Sequence, residues 1–355
     1  MRRRFAVNDL NLSLLNRNQN RDEVFSRVPT DDCLRLLAVV EELIFYLRLK
    51  NETGYSDARL QNSALPDMDE ETAEECRVEV VDVLKGRYRS LSPLGKCSID
   101  DALGYLPIPL TKALANRQFL QGVPTPLPTT RDGFARFYVG WFNESGDDDV
   151  DMSARFVGPN HKARLLNWER KRQSFACACF SGEVRKRRGY CAEFVDVDLT
   201  KARRHFDYLI VEASVLAEKS FSDMKTTFGF EKRDRLEPDD KWTPESVVDQ
   251  TRVVSKLPAA IVAIVDLKKT QCFLCDAPHD AIPFHSGNYK AIKASIERLT
   301  QPPKCSLRDL LTWHVDGRGE LVPWNEFYRA DRFFSLENFY KTDEGSKWIL
   351  DEERE

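Results

Sequence analysis

The residues that could do chemistry are concentrated in one acidic run, NESGDDDVDMSA, at positions 143–154. Five of its side chains are carboxylates, namely Glu144, Asp147, Asp148, Asp149 and Asp151. In an extended chain successive side chains alternate, so Asp147, Asp149 and Asp151 would point to one side. Calcium binds roughly six to eight oxygen ligands, which clustered carboxylates can supply. The run therefore predicts a metal site of Asp147, Asp149 and Asp151 with Glu144, although the spacing is not that of an EF-hand and acidic turns also serve solubility.

A basic segment follows at 155–204, where thirteen lysines and arginines face five acids. Its densest part is the run Arg185, Lys186, Arg187 and Arg188. Such a segment could contact the phosphates of nucleic acid or of an acidic membrane, or an acidic protein surface. Basic hairpin turns also prevent sheet edges from pairing, and stacking aromatics are not interleaved with these residues. Binding of an anionic partner through 185–188 is kept as the alternative function.

Catalytic and zinc-binding patterns are weak or missing. The sequence has no G-x-S-x-G elbow, Walker loop, strand-linked G-x-G-x-x-G or H-E-x-x-H motif, so we expect no enzymatic activity. Cys272, Cys275 and His279 have a spacing that could bind zinc, but one C-x-x-C pair supplies only two thiolates. On a strand the two cysteines would face opposite sides, so we do not expect a zinc site.

Periodicity separates helical from extended regions. Apolar residues at helical spacing predict helices over 30–50, 69–88, 289–300 and 306–314, with acids favouring the start of the first two. From residue 131 the period becomes two, which predicts strands at 134–142, 151–157, 164–168, 192–199, 207–216, 259–267 and 271–277.

These elements predict a mostly β protein, α+β overall, in which an antiparallel β-sandwich lies between helical additions. The predicted segments are a helical N-terminal region (1–92), a Pro-rich connector packed on the sandwich (93–130), the sandwich (131–300) and a helical, aromatic C-terminal segment (301–355). Aromatic residues of that last segment either dock on a core or form an exposed surface for a partner: Trp324, Phe327, Tyr328, Phe333, Phe334, Phe339, Tyr340 and Trp348.

Several runs in order along the chain resemble one known family. They are LSPLGKCSIDDALGYLPIPL (91–110), WFNESGDDDVDMSARFV (141–157), EFVDVDLTKAR (193–203), LPAAIVAIVDL (257–267) and LRDLLTWHVDGRGELV (307–322). Together they are similar to the bacterial tellurite-resistance TerD-like family, specifically a long divergent branch with a helical N-terminal region, over about residues 91–322. The resemblance implies a β-sandwich, calcium binding as in the better-known members, and a role in tolerance to tellurite, other chemical stress, phage or colicins. The longer Gly-Asp-rich calcium motif of typical members has no counterpart in this sequence.

Length, charge and cysteine usage limit the class of protein. The 355 residues have a formal net charge of −4 and 42% hydrophobic residues, which is globular composition and not that of a dedicated nucleic-acid binder. Nine irregularly spaced cysteines and an N-terminus without a signal-type apolar stretch lead us to expect a cytoplasmic protein. We expect protein partners, and an oligomer is compatible with the segregated charge, since acids dominate 67–82 and 147–151 while 155–204 is basic.

Overall fold

The computed structural model describes residues 29–55, 68–106, 108, 122–127, 133–144, 146–159, 161–167, 177–184, 189–216, 219–221, 223–236, 247–253 and 257–335. The chain forms two compact units. The first unit combines Met1–Asn116 with Pro302–Glu355, and the second is Arg117–Gln301. The N-terminal region and the C-terminal segment therefore belong to one unit, a grouping that the four predicted segments do not contain.

The described residues form helices α1 (Thr30–Thr53), α2 (Glu70–Tyr88), α3 (Leu199–His205), α4 (Tyr289–Leu299) and α5 (Leu307–Arg318). Their strands are β1 (Gly95–Ile99), β2 (Pro124–Pro126), β3 (Phe134–Asn143), β4 (Val150–Gly158), β5 (His161–Asn167), β6 (Ala178–Val184), β7 (Gly189–Asp198), β8 (Tyr208–Val215), β9 (Thr227–Arg233), β10 (Val247–Arg252), β11 (Ala259–Asp266), β12 (Gln271–Pro278), β13 (Gly319–Leu321) and β14 (Arg332–Phe334). Within these ranges, each helix is too short or too polar to cross a bilayer.

In the first unit, α1 and α2 pack as an antiparallel pair. Arg87 near the end of α2 donates to the hydroxyl of Thr30 at the start of α1 (3.1 Å), and Arg48 near the end of α1 bonds Glu70 at the start of α2 (2.5 Å). As the acidic opening predicts, α2 begins beside Asp69, whose carboxylate accepts the amide of Thr72 (2.8 Å). This unit also contains a parallel sheet in the order β13-β1-β14.

The second unit is a sandwich of two antiparallel sheets. One has the order β10-β9-β3-β7-β6, and the other β2-β12-β11-β8-β4-β5. Alternate residues of both sheets fill one shared core, which includes Trp141 of β3 and Phe156 of β4. Cys272 lies in this core and Cys275 in a cluster on the outer face, so the two cysteines face opposite sides as predicted.

The outer faces of the two sheets are built differently. Helix α4 packs Ile292 and Ile296 on the outer face of the six-stranded sheet. The five-stranded sheet instead buries an ion pair, in which Arg136 forms two hydrogen bonds with Asp196 (2.6 and 2.9 Å). Burial alone would lower the pKa of Arg136, but the bonds with Asp196 and the nearby charge of Glu231 raise it, so the guanidinium stays charged.

The predicted fold class is confirmed, since the structure is α+β with antiparallel sheets and helical additions. Helix α5 extends four residues beyond the predicted end at 314. The elements that were not predicted are helix α3 and strands β1, β2, β6, β9, β10, β13 and β14. Strand β9 has Gly229 in the middle and Glu231 and Lys232 near its end, so its sequence lacks a regular polar and apolar alternation. Strand β2, from the predicted connector, pairs with β12 in the six-stranded sheet.

Candidate functional site

The acidic run forms the turn between β3 and β4, at one end of the sandwich. The side-chain oxygen of Asn143 accepts the amides of Gly146 (2.7 Å) and Asp148 (3.3 Å). Gly146 has φ +99°, a left-handed conformation that favours glycine. The chain therefore turns sharply before residue 147. From there on burial alternates as expected for an extended chain: Asp148, Val150 and Met152 are buried, whereas the odd-numbered aspartates between them are not.

Asp148 is the acid that organises this turn, and it was not among the predicted ligands. It is only 5% exposed. One carboxylate oxygen accepts the amide of Glu144 (3.0 Å), and the other lies 2.5 Å from the ammonium of Lys219. Its backbone carbonyl accepts the indole N–H of the buried Trp141 (3.0 Å). Asp148 thus joins the turn to the core and to the segment that follows β8.

The four predicted metal ligands are dispersed around the turn. Glu144 is exposed and pairs with Lys225 (2.8 Å), Asp147 is exposed, and Asp149 and Asp151 are half-buried. Across the described ranges, no group of three or more His, Cys, Asp and Glu side chains is arranged to hold a metal ion. The calcium site therefore stays a prediction from the sequence.

The basic residues Arg185, Lys186, Arg187 and Arg188 lie outside the described residues. Other members of the basic segment lie at the opposite end of the sandwich from the acidic turn. There Asp198 begins α3 by accepting the amide of Lys201 (2.8 Å), and the ammonium of Lys268 donates to the carbonyl of Arg203 (2.5 Å).

That contact brings α3 and the β11–β12 turn together. The result is a cationic surface that we name the basic tip, composed of Lys201, Arg203, Arg204, Lys268 and Lys269. The sequence count of 155–204 includes the first three residues. It does not include the two lysines, because only the fold brings them beside α3.

A buried acid on the outer face of the six-stranded sheet was also missed. Glu212 is 2% exposed and accepts hydrogen bonds from Ser153 (3.1 Å) and Arg155 (3.2 Å). His279 lies 3.2 Å from its other oxygen, and the guanidinium of Arg155 lies 4.4 Å from the ring centroid of Phe284. A single acid within the apolar strand YLIVEASV was the available signal. The cluster ties β4 and β8 to the turn after β12, and this role needs no ligand.

The first unit presents an aromatic cluster around Phe327. Its ring centroid lies 5.7 Å from Trp324, 6.4 Å from Tyr328 and 6.4 Å from Phe333. Phe327 is 48% exposed, Tyr328 75% and Phe333 53%. Of the two alternatives that the sequence left open, the structure favours the exposed surface for these residues. Phe339, Tyr340 and Trp348 lie outside the described residues.

Comparison with known proteins gives distant structural similarity. No family model and no curated protein match the chain. The structure is similar to SAV2460, a protein of unknown function, with TM-score 0.32 and 13% identity over 44% of this chain and 96% of that one. It is also similar to SCO6318 from Streptomyces coelicolor A3(2), a homologue of the telluride resistance protein TerD, with TM-score 0.29 and the same identity and coverage. Membership of the TerD-like family therefore stays a prediction.

Proposed function

We propose that this chain is a non-catalytic, TerD-like interaction protein of a stress or phage response, and that its aromatic cluster binds a protein partner. The observation that carries the proposal is the exposure of Phe327, Tyr328 and Phe333. A contiguous patch of exposed apolar side chains often marks an interaction site, whereas single exposed apolar residues are common on any protein. Aromatic side chains are also enriched among the residues that contribute most to binding at protein interfaces.

The backbone beneath the cluster supports this role because it is held in place. The amide of Ala330 donates to the carbonyl of Phe327 (3.0 Å), and the amide of Glu326 donates to the carbonyl of Pro323 (2.8 Å). Strand β14, which carries Phe333, pairs with β1, and Asp331 beside it accepts the amide of Lys96 (2.7 Å). A preformed surface loses less conformational entropy on binding than a flexible one.

The test removes the exposed rings and measures both tolerance and partner binding. A tellurite-sensitive bacterium expressing the chain should grow at higher tellurite or survive phage better than the empty host, and Phe327→Ser/Tyr328→Ser should lose that gain. A photo-crosslinking residue at position 328 should label one protein, and competition by purified wild-type chain, but not by the variant, should prevent the labelling.

The matched control is Val78→Ser/Leu216→Ser, which removes two other exposed apolar side chains (49% and 62% exposed). It should keep the wild-type behaviour in both assays. Equal growth of the two double variants, or equal competition by them for the label at position 328, would contradict the proposed role of the aromatic cluster.

We also propose that the acidic turn between β3 and β4 binds calcium, and this part of the proposal has its own test. Calorimetric titration should give heat of binding and a rise in melting temperature at millimolar calcium, and Asp149→Asn/Asp151→Asn should abolish both. Magnesium serves as the control cation, because its smaller octahedral shell does not suit an irregular loop of carboxylates. Absence of heat and of a thermal shift in the wild-type chain would remove calcium from the proposal.

A further inference from the structure

We propose that the basic tip binds the phosphate backbone of double-stranded nucleic acid. The basic tip belongs to the second unit, and the inference does not depend on the aromatic cluster or on calcium. Lys268 joins its two parts, since its ammonium donates to the carbonyl of Arg203 (2.5 Å) at the end of α3. The amide of Leu267 also donates to the carbonyl of Asp207 (2.9 Å), which fixes the turn against the chain that follows α3.

The three aspartates that contact the basic tip, Asp198, Asp207 and Asp266, are buried or half-buried. Asp198 is 3% exposed and caps α3, and Asp266 is 8% exposed and accepts the amide of Lys269 (2.9 Å). Asp207 accepts a hydrogen bond from the hydroxyl of Tyr289. Burial and this bond to Asp207 raise the pKa of Tyr289, so the tyrosine remains a neutral donor at physiological pH. The carboxylates are thus occupied by structural hydrogen bonds on the protein side of the tip.

The cations of the basic tip face outward. The side chains of Lys201, Lys268 and Lys269 are 56%, 53% and 69% exposed, and Arg203 and Arg204 are also exposed. Each lysine also lies near a carboxylate, namely Lys201 at 3.0 Å from Asp198, Lys268 at 3.4 Å from Asp207 and Lys269 at 3.6 Å from Asp266, which leaves part of each ammonium for a ligand. Five exposed cationic residues thus lie on two adjoining segments.

The surroundings favour a duplex over the other anionic polymers. The large exposed hydrophobic residues of the described chain, such as Phe142, Leu216 and Tyr328, all lie elsewhere, so among the described residues the basic tip offers single strands no exposed Phe, Tyr or Trp on which bases could stack. Within the same residues it offers a membrane no large exposed apolar side chain as the second anchor that stable lipid binding requires. A DNA duplex needs neither, because it carries one charge per about 1.7 Å of its axis.

The acidic end does not oppose this binding. Strand β3 runs from the side of α3 to the acidic turn over ten residues, which at roughly 3.3 Å per residue separates the ends by about 30 Å. Exposed charges are screened over about 8 Å at physiological ionic strength. The overall charge of −4 therefore says little about the potential at the basic tip.

The test is fluorescence anisotropy of a short, random-sequence DNA duplex titrated with the full chain. We expect a dissociation constant of roughly 10⁻⁴ to 10⁻⁶ M at physiological salt, with affinity falling as salt rises. Arg204→Ser/Lys269→Ser should weaken binding by about tenfold and reduce the slope of log K against log salt by about 2, because about 0.9 is lost per phosphate contact. The control Arg89→Ser/Lys96→Ser removes the same charge from exposed positions of the first unit.

Each outcome decides the question. Loss of affinity and slope in the variant of the basic tip alone supports the proposal. No binding by the wild-type chain, or equal binding by the two double variants, overturns it. Binding to vesicles of acidic phospholipid but not to the duplex would overturn it in favour of a membrane. An unchanged melting temperature shows that a variant is folded. The growth assay of the aromatic variants tests a separate proposal, and its outcome does not depend on any of these binding results.

Discussion

At the end of the sandwich where β3 meets β4, a buried acid, Asp148, faces inward and an exposed lysine, Lys219, reaches over to neutralise it. At the opposite end the acids accept hydrogen bonds from backbone amides and a tyrosine hydroxyl, and the lysines that lie near them keep more than half of their side-chain surface exposed. The first end therefore uses its ion pair to hold a turn in place, whereas the second exposes its charge to solvent. Substitutions should accordingly change stability at the first end and binding at the second.

The largest effect on stability is expected for Asp148→Ala. The substitution removes the acceptor of the Glu144 amide and the partner of Lys219, and it leaves space beneath the turn. Loss of a buried charged partner with its hydrogen bonds should lower the free energy of unfolding by about 2–4 kcal/mol. The measurement is the midpoint of urea unfolding.

Asp147→Ala is the matched control, because Asp147 belongs to the same turn and is exposed. Its effect should stay within about 0.5 kcal/mol, as for most surface substitutions. If the two substitutions lowered the free energy of unfolding equally, the buried position of Asp148 would not be the feature that stabilises this end.

The contrast between Asp147 and Asp148 also shows which features of the acidic turn could be predicted from the sequence and which could not. The clustering of acids between two strands was evident from composition, and so were β3 and β4 themselves, because alternation is a local signal. Which acid turns inward depends on Asn143 and on the left-handed Gly146, whose combined effect reverses the chain within a few residues. Alternation along an extended chain separates Asp148 from the three odd-numbered aspartates, but it does not show that the Glu144 amide and Lys219 would bind the inward carboxylate.

At the basic tip the sequence lacked a different kind of information, namely which distant residues the fold brings together. Arg203 and Arg204 are close in sequence, so their charge was counted, but Lys268 meets them only because β11 and β12 fold back beside α3. Contacts between residues this far apart cannot be inferred from a single sequence. The same applies to Arg136 and Asp196, which face each other through strand register. By contrast, α2 was predicted well, since its cap and acidic first turn are local.

A smaller effect is expected for Lys219→Ala, which leaves Asp148 in place without its cation. The side chain of Lys219 is 40% exposed, so water can reach the site and replace part of the hydrogen bonding and charge stabilisation that the ammonium gives to Asp148. We expect a loss of about 1–2 kcal/mol in the free energy of unfolding, less than for Asp148→Ala.

Lys225→Ala provides the comparison for an exposed pair, since Lys225 and Glu144 have side chains 58% and 56% exposed. It should cost no more than about 1 kcal/mol, the range of surface salt bridges. A larger loss for Lys225→Ala than for Lys219→Ala would mean that the exposed pair, and not the buried acid, fixes the turn.

The smallest effect on stability is expected at the basic tip, for Arg204→Ser/Lys269→Ser. Arg204 is exposed, and the side chain of Lys269 makes a long contact of 3.6 Å with Asp266, whereas the structural bond to Asp266 comes from the Lys269 backbone amide, which serine retains. The free energy of unfolding, measured by urea unfolding, should therefore change by no more than about 0.5 kcal/mol. A loss above about 1 kcal/mol would show that these cations stabilise the fold as Lys219 does, and the two ends would then use their charge in the same way. An unchanged midpoint together with weaker duplex binding would separate the ends by function, because surface charge that contributes nothing to folding is free to be used for recognition.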